Sequence, residues 1–494
     1  MLRRALLWFT TYRLVVAILF IALFAMAVRA PVDTDTWWHL RAGQVTLERG
    51  QIIRTDPFSH TFYGSPWVAY SWLSEVILYL LFHAFSYAGL AVLIGVMVTV
   101  AFAFVYLQMA GDPFSRAFVV VLAAAVSSVV WIARPHLFSF LLTAILAYIL
   151  YLFKWRGVNR LWLLPPLFIL WVNLHAGYAQ GFMVLVAFVG GEVLNHLLAF
   201  IAPAQDPVLH WRRIGLVIVV SIFCFLLLVV HPNTTRMWVY YLDTVGIGAL
   251  RDYIQEWKSP DFHPLYTQPF IWMLLATLAA MGLSGRRVDG TDLAMVGIFA
   301  YASLLAGRFF GPFALLVAPV LSRHVSAILT RVGLTGRAGL RRSRAVLGVI
   351  NLVLLVAVVA LTAVKVWTPL TLQFNEQKQR EVLPVDAVAW ILENRPKGEL
   401  FNPYDWGGYA LWSLYPQYRV FVDGRTDLYG DAFLRQYLQV QLGRPGFEEI
   451  LDEYNVNLVL TYPDDMLSLQ LKCVGGWEEV YRDDVAVVWV REGP

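Results

Sequence analysis

Long apolar runs separated by short polar connections set the pattern of this chain. Runs long enough to cross hydrocarbon as helices fall near 12–29, 86–109, 115–133, 137–153, 160–174, 177–200, 213–230, 267–284, 290–306, 309–330 and 345–366. A helix of about 20 residues is the length that spans a bilayer core of about 30 Å, so the pattern predicts a polytopic α-helical membrane protein with about eleven transmembrane helices. The 160–174 run is short and suits a re-entrant segment. The stretch 71–84, SWLSEVILYLLFHA, reads either as one more span or as a helix lying in the interface.

The distribution of basic residues chooses between these. With Arg3 and Arg4 cytoplasmic and 71–84 not crossing, the cytoplasmic connections collect Arg116, Lys154, Arg156, Arg160, Arg212, Arg213, Arg286, Arg287, Arg323 and the arginines between 331 and 344. Letting 71–84 cross reverses that bias. The expected plan is therefore a membrane region over 1–366 with a large first outer loop at 30–85, an N-terminus in the cytoplasm, and an outer region over 367–494. The first span lacks a convincing small-residue cleavage site and reads as a retained helix.

Beyond 367 the period changes. PVDAVAWILENRP and YGDAFLRQYLQVQL read as helices, YRVFVDG and NVNLVLTY as strands, and WEEVYRDDVAVVWVRE as a hairpin. Strands alternating with helices predict a soluble extracytoplasmic α/β domain. Gly407 and Gly408 suit a close backbone approach or a positive φ, and Asp-Gly and Gly-Gly are also ordinary turn dipeptides.

Composition sharpens this picture. The 494 residues are 59% hydrophobic and 15% charged, with a mean hydropathy of +0.61, which fits a polytopic membrane protein; the expected location is the cytoplasmic (inner) membrane. Of 38 Lys+Arg and 34 Asp+Glu, 11 and 20 fall in 367–494. A basic membrane region with an acidic tail argues against nucleic acid as a partner. Cys224 and Cys473 form no disulfide framework or thiolate metal site.

The chemistry collects on one face. Under this topology DTDTWWHLR (33–41), RTDPFSH (54–60), ARPH (133–136), WVNLHAG (171–177), HPNTTR (231–236), RDYIQEWKSPDF (251–262) and AGRFFGP (306–312) all lie at non-cytoplasmic span ends. Charges at hydrocarbon cost about 2.5–3.5 kcal/mol each on insertion scales, although polar loops at span ends are an alternative account. G-x-x-x-x-G-K-[ST], H-E-x-x-H and G-x-S-x-G are absent, which disfavours an ATP-driven pump and the hydrolases that use those motifs. A carboxylate at the outer boundary, flanked by cations and aromatics, suits transfer of a sugar from a polyprenyl-phosphate carrier. Arginine or histidine would hold the phosphate and a carboxylate would take the acceptor proton.

DTWWHLR (35–41) resembles the first outer-loop signature of the oligosaccharyltransferase catalytic subunit, Asp-x-aromatic-aromatic-x-x-Arg after the first span. YIQE (253–256), GRFFGPFALLVAP (307–319) and YDWGGY (404–409) are similar to later motifs of that family and fall in the same order. The plan is that of the GT-C class of lipid-phosphate-dependent glycosyltransferases, which also includes protein O-mannosyltransferases. The resemblance implies Asp35 as the catalytic carboxylate, with Asp33 second, Glu256 as the late-loop acid that helps place a metal or acceptor, and Arg308 on the carrier phosphate. His39, Arg41, Arg134 and His136 join Arg308 as donor-phosphate candidates. Asn173 and His175 stand where the family's second acidic pair is expected, as accessory metal or acceptor groups. Tyr404, Asp405, Trp406, Asp423 and Arg425 would form the acceptor-side group, and Asp405, Asp423, Arg425 and Asp427 of YDWGGY and FVDGRTDLYG would form a ligand-facing group after strand ends.

A divalent cation (Mg or Mn) is compatible with this plan, and so is metal-free transfer. The expected partners are membrane lipid, a polyprenyl-phosphate-sugar donor and a glycan, lipid or protein acceptor. Two further roles stay open: helix N-capping for Asp33 and Asp35, and membrane anchoring for Trp37 and Trp38. A non-catalytic scaffold or a transporter on the same architecture is the competing reading.

Overall fold

The computed structural model describes residues 10–201, 203–248, 254–334 and 344–492. Every predicted apolar run carries a helix. In chain order these are α1 (Thr11–Ala27), α2 (Thr36–Arg49), α3 (Trp72–Gln108), α4 (Pro113–Ser127), α5 (His136–Trp155), α6 (Leu164–Leu174), α7 (Tyr178–Leu198), α8 (Trp211–Leu226), α9 (Tyr240–Val245), α10 (Gln268–Leu283), α11 (Gly290–Leu305), α12 (Phe310–Arg331) and α13 (Arg344–Leu370). Among the described residues, seven helices are long and apolar enough to cross a membrane by length and composition, and four shorter apolar helices accompany them. The chain is built as a multi-pass membrane protein.

The ambiguous stretch 71–84 is the first half of α3. The helix breaks at Ser86, whose backbone is left-handed in φ (φ 53°, ψ −146°). Gly89 just beyond it packs so closely that a Cβ there would lie 2.6 Å from the Leu81 carbonyl oxygen. The two halves are therefore separate rods, and residues 87–108 alone rise about 33 Å, enough to span.

Small residues let the helices approach. A Cβ on Gly191 of α7 would lie 2.4 Å from the Thr291 Cα of α11, and one on Gly290 would lie 2.4 Å from the Gly191 carbonyl oxygen. Beside this contact Lys154 bonds Glu192 at 2.5 Å and Asp289 at 2.6 Å, with Thr291 Oγ1 at 2.8 Å. Lys154, counted among the cytoplasmic connections, lies in the last turn of α5 and is buried. It sits eighteen residues along α5 from His136, or about 27 Å by helical rise.

The C-terminal region adds α14 (Leu372–Arg380), α15 (Val385–Asn394), α16 (Tyr404–Leu414), α17 (Thr426–Gln441), α18 (Phe447–Glu453) and α19 (Met466–Val474), with strands β1 (Glu399–Phe401), β2 (Val456–Thr461), β3 (Trp477–Arg482) and β4 (Val487–Arg491). The sheet order is β1-β2-β4-β3. β1 runs parallel to β2, with Leu400 opposite Leu458, while β2–β4 and β3–β4 are antiparallel. The predicted hairpin is thus β3–β4.

YRVFVDG is not a strand of this sheet. Val420 forms only an isolated bridge to Ser59. Its neighbours satisfy their backbone groups elsewhere: Val420 N–H donates to the Phe58 carbonyl, Phe421 N–H to Asn402 Oδ1, and Asn402 Nδ2 to the Val422 carbonyl. The connection between α1 and α3 and a buried amide have taken the place of a neighbouring strand.

That connection is the seat of the C-terminal region. Trp37 and Trp38 are 3% and 2% exposed, so they are not membrane anchors. Trp37 packs edge-on against Tyr409 and is tilted against Trp412 of α16. YDWGGY forms the start of α16, and its glycines serve close approach: a Cβ on Gly407 would lie 2.0 Å from the Val422 carbonyl oxygen and one on Gly408 2.4 Å from the Thr34 carbonyl oxygen.

Gly408→Ala is therefore expected to destabilise the protein by about 1–3 kcal/mol, the cost of overpacking against backbone. The same change in an unconstrained helix stabilises by about 0.5–1 kcal/mol, so thermal unfolding reports the contact by the sign of the shift.

Candidate active site

Five of the seven polar islands meet in one cavity of about 1100 Å³. Its wall includes Asp33, Asp35, Arg134, His136, His175, Glu256 and Arg308, with Tyr404, Asp405 and Asp427 from the C-terminal region. A second stretch of wall is apolar, formed by Val129, Val130, Ile132, Phe140, Phe310 and Pro312. The islands 54–60 and 231–236 do not reach it.

Asp33 and Asp35 divide the roles left open above. Asp33 is the capping residue: its Oδ1 accepts from the N–H groups of Asp35 and Thr36, both at 3.0 Å, and from Thr36 Oγ1 at 3.2 Å, closing the start of α2. Asp35 makes no cap with its side chain. Its carboxylate projects between Arg134 and the backbone of Gly424, where a Cβ would lie 2.1 Å from Asp35 Oδ1. The Asp-Gly dipeptide therefore makes room for this carboxylate.

Arg134, in the turn before α5, binds three acids. Its Nε and Nη2 donate to the two oxygens of Asp33, both at 2.5 Å. Its Nη1 reaches Asp35 Oδ2 at 3.0 Å and Glu256 Oε1 at 2.9 Å. For Asp33 and Glu256 burial raises the pKa, but the Arg134 charge outweighs it and both end below their ordinary values. Asp35 goes the other way. Burial pushes it up, Arg134 pulls it back only in part, and the negative charges of Asp33, Glu256 and Asp405 add to the rise, leaving it at about 7. An aspartate that titrates near neutrality beside a cavity is matched to proton transfer.

Arg308 has a different environment. Its guanidinium lies over the Trp257 ring, 4.1 Å from the centroid. Among the described residues, no carboxylate lies within ion-pair distance of it. His175 Nδ1 faces Ser139 Oγ at 2.8 Å and accepts from the Gly177 N–H at 3.0 Å, so the ring proton of the neutral form is on Nε2. Burial holds its pKa well below the ordinary histidine value. His136 Nε2 is bonded to the Val130 carbonyl at 2.8 Å.

Other predicted residues stand elsewhere. His39 touches the cavity wall, but its Nδ1 pairs with Glu75 at 3.1 Å. Arg41 faces α16, bonded to the Trp412 carbonyl and stacked 4.8 Å over its ring. Asn173 accepts from Trp72 Nε1 at 2.9 Å. Trp406 is 1% exposed, bonded to the Val382 carbonyl and packed on Tyr462. Asp423 and Arg425 are buried away from the cavity, joined to each other and to Asp56. Tyr253 lies outside the described residues.

Of the expected ligand-facing group, Asp427 reaches the cavity with Asp405. It lines the cavity from the first turn of α17, alongside Tyr240 of α9, and burial lifts it to about 6. The acid of TDL after an Asp-Gly turn was a sequence signal, but Tyr240 is some 190 positions away in the chain.

No family model and no curated protein matches the chain. Solved structures do match. The archaeal oligosaccharyltransferase AglB from Archaeoglobus fulgidus, in complex with an inhibitory peptide and a dolichol-phosphate, superposes with a TM-score of 0.59 at 13% identity, covering 92% of this chain and 70% of that one. A structure of the Archaeoglobus fulgidus oligosaccharyltransferase with Zn and sulfate gives 0.50 at 13% identity, covering 96% and 73%. ArnT from Cupriavidus metallidurans in the apo state gives 0.51 at 13% identity, covering 98% and 97%. The fold is GT-C-like.

A GT-C-like fold raises the question of a divalent cation. Among the described residues, no three His, Cys, Asp or Glu side chains are arranged to hold one. Asp33, Asp35 and Glu256 converge, but on the Arg134 guanidinium. His175 Nδ1 and Asn173 Oδ1 are taken by protein hydrogen bonds. The donor set of this GT-C-like cavity does not fit a metal ion.

Proposed function

We propose that this chain is an integral membrane glycosyltransferase that moves a sugar from a polyprenyl-phosphate carrier to an acceptor. The observation that carries the reading is one cavity holding three things: an aspartate that titrates near 7, an arginine stacked on tryptophan with no carboxylate partner among the described residues, and an apolar wall. Asp35 takes the proton of the acceptor nucleophile. The nucleophile bonds to the anomeric carbon as the carbon–oxygen bond to phosphate breaks, and the departing polyprenyl phosphate keeps the electron pair. Arg308 neutralises that phosphate, and the apolar wall receives the first isoprene units.

Asp405 and Asp427 face the side from which the acceptor enters, and glycan, lipid and protein acceptors all remain compatible with them. The arginine-rich connections support a cytoplasmic N-terminus, a membrane region over 1–366 and an extracytoplasmic region over 367–494, and the membrane proposed is the cytoplasmic (inner) one.

The test is binding of a short-chain polyprenyl phosphate to the purified protein in detergent. Saturable binding is expected, weakened about 10- to 100-fold in Arg308→Ala, the scale of losing one charge-assisted hydrogen-bond pair. Absence of binding, or binding indifferent to Arg308, would remove the carrier from this reading.

A further inference from the structure

We propose that Arg134 is the resident cation of the acidic cluster, doing with a guanidinium what a divalent ion would do for Asp33, Asp35 and Glu256. The argument rests on valence and geometry. Three N–H···O bonds run from Arg134 to Asp33, at 2.5 and 2.5 Å, and to Glu256, at 2.9 Å, and its Nη1 makes an ion pair with Asp35 at 3.0 Å. A guanidinium has five N–H donors, so most of them are engaged.

Asp33 is committed in turn. Its Oδ1 accepts from two backbone N–H groups, a threonine hydroxyl and Arg134 Nε, which leaves no lone pair on that oxygen to ligate, and its Oδ2 accepts from Arg134 Nη2. Hard divalent ions need carboxylate oxygens about 2.0–2.6 Å from one point, and here that point lies within a fixed positive group. The guanidinium does not deprotonate in a protein; burial lowers the Arg134 pKa, but the charges of Asp33, Asp35 and Glu256 outweigh it and hold the group charged. A metal would have to enter against it.

The exchange has a chemical consequence. A monovalent cation shared among three carboxylates leaves one of them, Asp35, short of compensation and basic. A divalent ion in direct contact would withdraw more charge and make it a poorer base. The arginine also serves the geometry, because it links α5, the start of α2 and the loop bearing Glu256. With its donors so occupied, Arg134 is not available to the carrier phosphate, and that contact passes to Arg308. This consequence for catalysis rests on the transferase reading, whereas the cation assignment itself does not.

The experiment is a Mn²⁺ titration of the full-length protein in detergent, followed by electron paramagnetic resonance. It compares wild type, Asp35→Asn, Arg134→Met and Arg134→Met with Asp35→Asn. Wild type and Asp35→Asn are expected to show the same, weak Mn²⁺ uptake. Arg134→Met is expected to gain one site at least about tenfold tighter, the effect of removing a contacting like charge, and the second substitution is expected to erase it.

One Mn²⁺ bound by wild type and lost in Asp35→Asn would overturn the proposal, and that comparison does not depend on the Arg134 variant folding. A folded Arg134→Met protein that gains no site would also overturn it. No sugar donor enters the titration, so failure of the transferase reading would leave these results unchanged.

Discussion

Replacing Asp35 with Asn is expected to lower sugar transfer about 10²- to 10⁴-fold, the range for loss of a general base, with thermal unfolding nearly unchanged. The separation follows from the local bonding. Asp33, not Asp35, closes the N-terminus of α2, and Arg134 retains Asp33 and Glu256 when Asp35 loses its charge. Asn keeps the shape that Gly424 accommodates. The readout is single-turnover sugar release from a polyprenyl-phosphate-linked donor, alongside a melting curve. A non-catalytic scaffold or a transporter would be indifferent to this substitution.

The same residue sets the pH dependence. A base must be deprotonated to act, and burial raises the Asp35 pKa to about 7. Transfer is therefore expected to rise with pH through about 7 and level off above it. Glu256 contributes part of the rise in the Asp35 pKa, so Glu256→Gln is expected to move that limb to lower pH. A limb that stayed in place in the Gln variant, or the absence of any limb near neutrality, would separate Asp35 from the proton transfer.

Arg425→Met is expected to destabilise the protein by about 3–5 kcal/mol, the cost of stranding buried charge. Arg425 is 1% exposed. It donates to Asp423 through Nε and Nη2 at 2.8 and 2.6 Å and to Asp56 through Nη1 at 2.6 Å, with Phe58 and Trp67 on its faces. Met fills much of the volume but leaves two aspartates unpaired. The loss should appear as release of the C-terminal region from the connection between α1 and α3, detected as new protease cleavage between 395 and 425 before the membrane helices melt. Asp56→Asn, which removes one of the two charges, should have a smaller effect. Equal cleavage of variant and wild type would mean that the ion pair does not hold this interface.

Much of the architecture was legible because its signals are local. Each apolar run became a helix since 20-odd apolar residues in a row have few other ways to satisfy their backbone in hydrocarbon. The β3–β4 hairpin and the β2 strand followed from alternation and turn residues. YRVFVDG failed as a strand because its hydrogen bonds went to Phe58 and Asn402, partners that no local period reports. The same limit applied to the site. Asp35, Glu256 and Arg308 could be named from order and resemblance, whereas Arg41, Trp406, Asp423 and Arg425 had the right chemistry and faced inward.

By itself, then, the chain determined a helical membrane body, a C-terminal α/β region and a set of polar span ends, because hydrophobicity and period act between near neighbours. Only the tertiary structure decided which of those ends share a cavity, that Asp33 caps a helix while Asp35 faces Arg134, and that a guanidinium stands among the three acids. Charges interact through distance in space, and residues a hundred positions apart in the chain set one another's protonation.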